Sequence, residues 1–219
     1  MYNIRKKIII CAIIISLVFS LASCNNSGTD NTTWFAGQGE YDAYIFRQKE
    51  ELVELEPKDR GAALQIPENI LGDISTAGLA ETCINYPMFA DMIFYDTLEI
   101  GFDRIKRQFN GLRELYLRTD VADVLVSIFI SVDLDNLDRL DEYPTLKWQY
   151  ICIMLYQESV ISSLTEEQKK VLLKTISKQK KLINSKYDDH YGLYNLEILE
   201  QKINENYRNA ELSRKVDGV

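Results

Sequence analysis

Four carboxylates stand close together in the middle of this 219-residue chain: Glu81, Asp91, Asp96 and Asp103. Two carboxyl groups held at a suitable separation can act as acid and base, or as acid and nucleophile, in glycoside hydrolysis. Glu81 and Asp91 fall on separate expected helices, and Asp96 is expected to cap one, so spacing alone fixes no pair. The same stretch carries Asn85, Tyr86, Tyr95, Asn110 and Arg113. Exposed residues of these types make useful contacts at binding surfaces. Helix caps and tyrosines packed between helices explain them equally well. The candidate binding surface is Glu81, Asn85, Tyr86, Asp91, Tyr95 and Arg113, and no catalytic residue is assigned.

Other chemistries have weaker signals. His190 is the one histidine, in Tyr187-Asp188-Asp189-His190-Tyr191. Histidine beside carboxylates can bind a metal or act as a base. Here it falls in a helix-to-helix turn, where Asp and His also serve local purposes, and no nucleophile motif accompanies it. Asp133, Asp135, Asn136, Asp138, Asp141 and Glu142 invite a calcium reading. An EF-hand loop needs an oxygen ligand at its fifth position and glycine at its sixth. Leu137 and Asp138 stand there, so the segment reads as a solvated acidic connector. Cys83 and Cys152 are the cysteines left for a folded domain. Export permits a disulfide between them, but both fall on apolar helix faces, where cysteine behaves as a small buried hydrophobe, and two buried thiols are the expectation. No CxxC or Cys/His spacing supports zinc. Lys169, Lys170, Lys174, Lys178, Lys180, Lys181 and Lys186 read as a solvated helix face, or as a surface for lipid headgroups or an acidic partner. No metal and no cofactor is expected.

The elements that must position these residues are helical. Ser75 is an expected N-cap, followed by Leu79, Cys83 and Ile84 on one face. Pro87 starts a helix to about Tyr95, with Met88, Phe89, Met92 and Ile93 inward. Asp96 to Glu99 matches a capping box. Leu98, Phe102, Ile105 and Phe109 form one face of the helix it opens, and Asn110-Gly111 ends that helix through positive φ at glycine. Upstream, residues 40–56 form a first helix closed by Pro57, and residues 58–65 a loop. Downstream, Asp120 caps a helix burying Val121, Val124, Leu125, Ile128, Phe129 and Val132. Pro144 starts one running to about Ser162, apolar on nearly every face between Trp148 and Tyr156 and so central. Thr165 to Gln168 is a second capping box, opening a helix that buries Leu172, Ile176 and Ile183. The last helix spans residues 193–211, with Leu196, Leu199, Ile203 and Tyr207 inward and fraying from Ser213. No stretch alternates long enough for a strand. The expected fold is all-α: one domain of about seven or eight helices, an orthogonal bundle or a short α-α superhelix.

The order STxGLxETxxNYPxxxDxxxYD (residues 75–96), then GFxxxxxxFNGLREL (101–115), then Val121-Ala122-Asp123-Val124-Leu125, resembles a family of uncharacterised bacterial secreted proteins and lipoproteins. The matching residues cover about a quarter of the chain. The resemblance implies an exported, all-helical domain and transfers no catalytic residue.

Residues 1–23 read as a lipoprotein signal peptide. Arg5-Lys6-Lys7 is a basic start, and residues 8–22 are apolar but short for a membrane span. Leu21-Ala22-Ser23-Cys24 resembles the bacterial lipoprotein cleavage motif, which implies a lipid on Cys24. Several acyl chains anchor stably where one does not. Residues 24–36 form the lipidated end and a polar tether, and residues 37–219 the helical domain. Without Arg5, Lys6 and Lys7 the chain has 22 basic and 33 acidic residues, a net charge of −11. That balance argues against nucleic acid. The expected protein is a lipid-anchored envelope component acting as a non-enzymatic binding module on a protein or glycan. A carboxylate-dependent hydrolase acting on glycans or other envelope-exposed substrates is the alternative.

Overall fold

Prolines and short hydroxyl side chains punctuate the chain, and a computed structural model shows what each one does. It describes residues 43, 44, 46, 54–132, 134, 143–186 and 190–217. The described residues carry eleven helices and no strand, so the fold is all-α, with more and shorter elements than the seven or eight that periodicity suggests. The leader, Cys24, the tether, the carboxylates Asp133, Asp135, Asp138, Asp141 and Glu142 with Asn136, and the side chain of His190 lie outside the described residues.

Pro57 opens α1 (Pro57–Ala63) instead of closing an earlier helix. Proline suits a first turn because no N–H is needed there. Of the helix expected over residues 40–56, only Ala43, Tyr44, Phe46 and residues 54–56 are described, and none of these is helical. The expected loop after Pro57 is thus largely α1, followed by α2 (Glu68–Asp73). α3 (Thr76–Ile84) starts where the Ser75 hydroxyl accepts from the Gly78 N–H at 3.0 Å. It buries Leu79, Cys83 and Ile84.

The element after Pro87 is a 3-10 helix (Phe89–Phe94), not an α-helix. With three residues per turn, positions i and i+3 share a face. Phe89 and Met92 are therefore buried, while Ile93, expected inward, is 61% exposed. α4 (Leu98–Gln108) is capped by Thr97, whose hydroxyl accepts from the Ile100 N–H at 3.2 Å. Thr97 has the extended backbone that an N-cap requires, which displaces Asp96 from the expected box. α4 packs directly on the 3-10 helix, because Gly101 meets the Met92 backbone where any Cβ would collide.

α5 (Asn110–Leu115) follows without a linker. The break is made by Phe109, in extended backbone at φ −104° and ψ 120°, not by a left-handed Gly111. Gly111 lies inside α5, and a Cβ there would strike the Phe109 ring and the Ile66 side chain. α6 (Val121–Ser131) begins after Asp120, which makes no cap bond of its own. Its carboxylate accepts from the Thr76 hydroxyl at 2.7 Å and so ties α6 to α3. Val126 is buried, and Val124 is only half-buried.

The apolar run after Pro144 is two helices, α7 (Tyr143–Leu155) and α8 (Glu158–Ser163). Gln157 divides them: its Nε2 donates to the Ile153 carbonyl at 2.7 Å, satisfying an acceptor at the α7 terminus. α7 packs against α3, α6 and the last helix, and Trp148 and residues 150–156 are buried. α9 (Glu166–Lys186) opens with the expected capping box. The Thr165 hydroxyl accepts from the Gln168 N–H at 3.2 Å, and Gln168 Oε1 accepts from the Thr165 N–H at 2.8 Å. Lys169 departs from the solvated lysine face. It is buried, with Nζ 3.1 Å from Glu166 Oε1 and 5.0 Å from the Tyr207 ring centroid. α10 (His190–Asp217) runs back along α9 and stays helical past Ser213. Cys83 and Cys152 are both buried free thiols.

The glycines make a two-signed test. Gly101→Ala and Gly111→Ala are each expected to lower unfolding free energy by about 1–3 kcal/mol, because the added methyl overpacks backbone or ring. Gly61 and Gly72 are helical with open space around them. Alanine at either is expected to add about 0.5–1 kcal/mol. Urea titration of the four variants checks this, and equal signs across the set contradict the packing described.

Candidate functional site

The six candidate residues divide into those that hold the fold and those that face water. Tyr86 holds the fold. It is only 4% exposed and lies flat on Phe109, with ring centroids 4.1 Å apart and planes 9° apart. Phe46 meets both rings edge-on. Asn85 closes the last turn of α3, its Nδ2 donating to the Glu81 carbonyl at 2.9 Å. Arg113 is exposed and donates to the Arg107 carbonyl, bridging the α4–α5 break. Glu81 and Asp91 are half-buried, and Tyr95 is 40% exposed. Of the six, Tyr86 lies in the core, and the other five keep part or most of their surface in water.

The structure places two of them beside α7. Burial lifts the Glu81 carboxyl above the ordinary glutamate value, and the Lys147 ammonium partly opposes this. Burial also lifts the Asp91 carboxyl. Asp91 in turn faces two phenols, Tyr86 and Tyr150. Each is pushed up to about 12, by burial first and by the Asp91 charge second. Tyr150 lies against Phe89, centroids 4.2 Å apart, which holds its ring near the 3-10 helix. A carboxyl lifted in this way keeps its proton to higher pH, the direction a general acid needs.

No three His, Cys, Asp or Glu side chains cluster as metal ligands among the described residues. An open concavity runs along α9, lined by Lys174, Ser177, Lys178, Lys181, Leu182 and Ser185. None of the six candidates lines it.

Ile93 and Phe94, absent from the candidate residues, stand beside Tyr95 with 61% and 80% of their surface in water. Helical spacing turns Ile93 inward, and only the tighter 3-10 turn releases it. Lys147 and Tyr150 are likewise absent from the candidates. Their signal in the sequence is a lysine and a phenol three residues apart on an otherwise apolar helix.

No protein-family model, no curated protein and no solved structure matches this chain.

The phenols predict an alkaline transition. An ordinary tyrosine ionises near 10, and Tyr86 and Tyr150 do so near 12. Between these values the unfolded chain has released protons that the folded chain keeps, so rising pH favours unfolding. Stability is expected to fall by about 1.4 kcal/mol per pH unit for each phenol across that window. Urea midpoints measured above pH 10 check this, and Tyr86→Phe and Tyr150→Phe should each flatten the slope. An unchanged slope in both variants contradicts the assignment.

Proposed function

We propose that this chain is a lipid-anchored envelope protein whose helical domain is a non-enzymatic binding module, docking a protein partner through Ile93, Phe94 and Tyr95. The observation that carries the reading is the exposure of these three consecutive apolar residues. Contiguous exposed apolar surface on a folded domain marks a contact site more often than an accident of packing. Aromatic anchors with a polar rim are the usual core of such sites. The resemblance of residues 75–125 to secreted proteins and lipoproteins supports an exported address. So do the basic start, the apolar run and Cys24. No helix among the described residues is long and apolar enough to cross a membrane, and on this reading attachment belongs to the lipid.

Two outcomes are expected. Labelled palmitate enters the wild-type chain and is lost in Cys24→Ala, with release from the membrane fraction. An unlabelled wild type sinks the anchor. A photo-crosslinking residue at position 94 traps a polypeptide in intact cells, whereas one at Leu212, an isolated exposed position, does not. Adducts at neither site, or equally at both, sink the docking surface.

A second reading, a carboxylate-dependent hydrolase acting on envelope glycans, is favoured by the upward-shifted Glu81 and Asp91 carboxyls. On it, Glu81→Gln and Asp91→Asn each abolish release of reducing ends from cell-wall glycan. On the binding reading neither changes such release.

A further inference from the structure

We infer that the surface formed by Ile93, Phe94, Tyr95 and Ile100 docks a basic, amphipathic segment of a partner protein. This rests on the binding reading above and narrows it to one chemistry.

The platform is built. Gly101 has no Cβ, so the Met92 backbone closes onto α4. Ile93 and Ile100 are the chain neighbours of those two residues, and consecutive Cα atoms are about 3.8 Å apart. They therefore flank one contact, and Phe94 and Tyr95 follow directly. Beneath them Phe89, Met92 and Phe102 are buried, with the Phe89 and Phe102 rings 6.1 Å apart. The backbone above is engaged as well. The Tyr95 N–H donates to the Met92 carbonyl at 3.3 Å, and the Gly101 N–H to the Thr97 carbonyl at 3.0 Å. Ile100, 48% exposed, thus stands on a fixed support, not a frayed end.

The rim selects the partner's charge. From Met88 to Asp103 the ionisable carboxylates are Asp91, Asp96, Glu99 and Asp103, with no lysine or arginine among them. Asp96, Glu99 and Asp103 are exposed. Arg104, exposed one turn on from Ile100 and so beside it on the same face, is the nearest cation in sequence, and it leaves the rim net acidic. Such a rim repels anionic lipid headgroups, which attract basic segments instead. It complements Lys or Arg flanking apolar side chains, and that complementarity speeds encounter and discriminates partners. The chain's own basic face, with exposed Lys170, Lys174 and Lys181 on α9, fits less well. None of the large exposed apolar side chains lies on α9, so it offers nothing to set against Phe94.

The test is fluorescence anisotropy of the full chain with two labelled amphipathic peptides, one of Leu and Lys and one of Leu and Glu. The Lys peptide is expected to bind more tightly by about tenfold or more. Ile93→Ser with Phe94→Ser should lose that binding without lowering the melting midpoint. If the double substitution unfolds the chain, Phe94→Ser alone carries the same reading. Asp96→Lys with Glu99→Lys should reverse the preference. Asp73→Lys with Glu205→Lys, the same charge change elsewhere, should retain it. Equal binding of both peptides, still lost on Ile93→Ser with Phe94→Ser, overturns the basic-partner inference and leaves the docking surface standing. Binding indifferent to positions 93 and 94 overturns both. Self-association that the same substitutions abolish makes a second copy the occupant and overturns the inference. Binding to phosphatidylglycerol vesicles through these residues overturns it too.

Discussion

The junction at Phe109-Asn110-Gly111 is the constraint on which the central helices depend. Asn110 clamps the chain 44 residues upstream. Its Oδ1 accepts from the Ile66 N–H at 2.9 Å and its Nδ2 donates to the Ile66 carbonyl at 2.7 Å. Gln65 completes the clamp, its Oε1 accepting from the Asn110 N–H at 3.0 Å and its Nε2 donating to the Gln108 carbonyl at 3.1 Å. A primary amide bonded to both backbone groups of one residue satisfies backbone that no helix serves. Leaving such groups unpaired in a part-buried place costs about 1–3 kcal/mol each. The break in α4 is affordable only because these side chains fill the roles of missing helical partners. Phe109 then turns its ring onto Tyr86, and Gly111 leaves space for it.

From that junction the placement of the exposed surface follows. The Tyr86–Phe109 stack fixes where the chain leaves α3, and Gly101 fixes how closely the 3-10 helix lies on α4. Between the two, the segment has room for a tight three-residue turn. Two side chains point in, Phe89 and Met92, while Ile93, Phe94 and Tyr95 point out. Burying a phenylalanine or isoleucine side chain contributes about 1.5–3 kcal/mol. The fold forgoes that at Phe94 and Ile93, while it buries Phe89, Phe102, Phe109 and Phe129 completely. A chain able to bury its other central aromatics so fully has the means to bury these. Their exposure is thus a property of the geometry that the junction imposes.

How much of this is legible in the sequence depends on the range of the interaction. The Ser75 cap and the Thr165–Gln168 box are local, and both stand as their spacing requires. The burial of residues 150–156 is a matter of composition, and it too is legible. What escapes reading is decided at longer range. Asp96 is chemically as good a cap as Thr97, and only the backbone conformation chooses. Gly111 looks like a helix stop, yet its role is to make room for a ring two residues earlier and for Ile66, far away in sequence. The 3-10 turn differs from an α-helix by fractions of a residue per turn, enough to reverse Ile93. Gln157 divides an apolar run through one side-chain bond that no periodicity detects. Of the candidate site, the position of the central stretch is legible. The pairing of Glu81 with Lys147 and of Asp91 with Tyr150 is not, because α7 arrives there only through folding.

That arrival also bears on how the two carboxyls are read. A catalytic pair is defined by mutual influence, since two acids sharing a substrate separate each other's ionisation. Glu81 and Asp91 are each lifted first by their own burial. Glu81 is moderated by an ammonium on α7, while Asp91 acts on two phenols. Their shifts have separate causes and separate neighbours. Desolvation beneath packed helices suffices to raise both, without a substrate cleft. Phe94, in contrast, is held in water by the geometry of the junction at a cost, since an aromatic ring in solvent contributes no burial to the fold. Weighed this way, the exposed apolar residues are the stronger mark of function, and the carboxylates belong first to the electrostatics of packing.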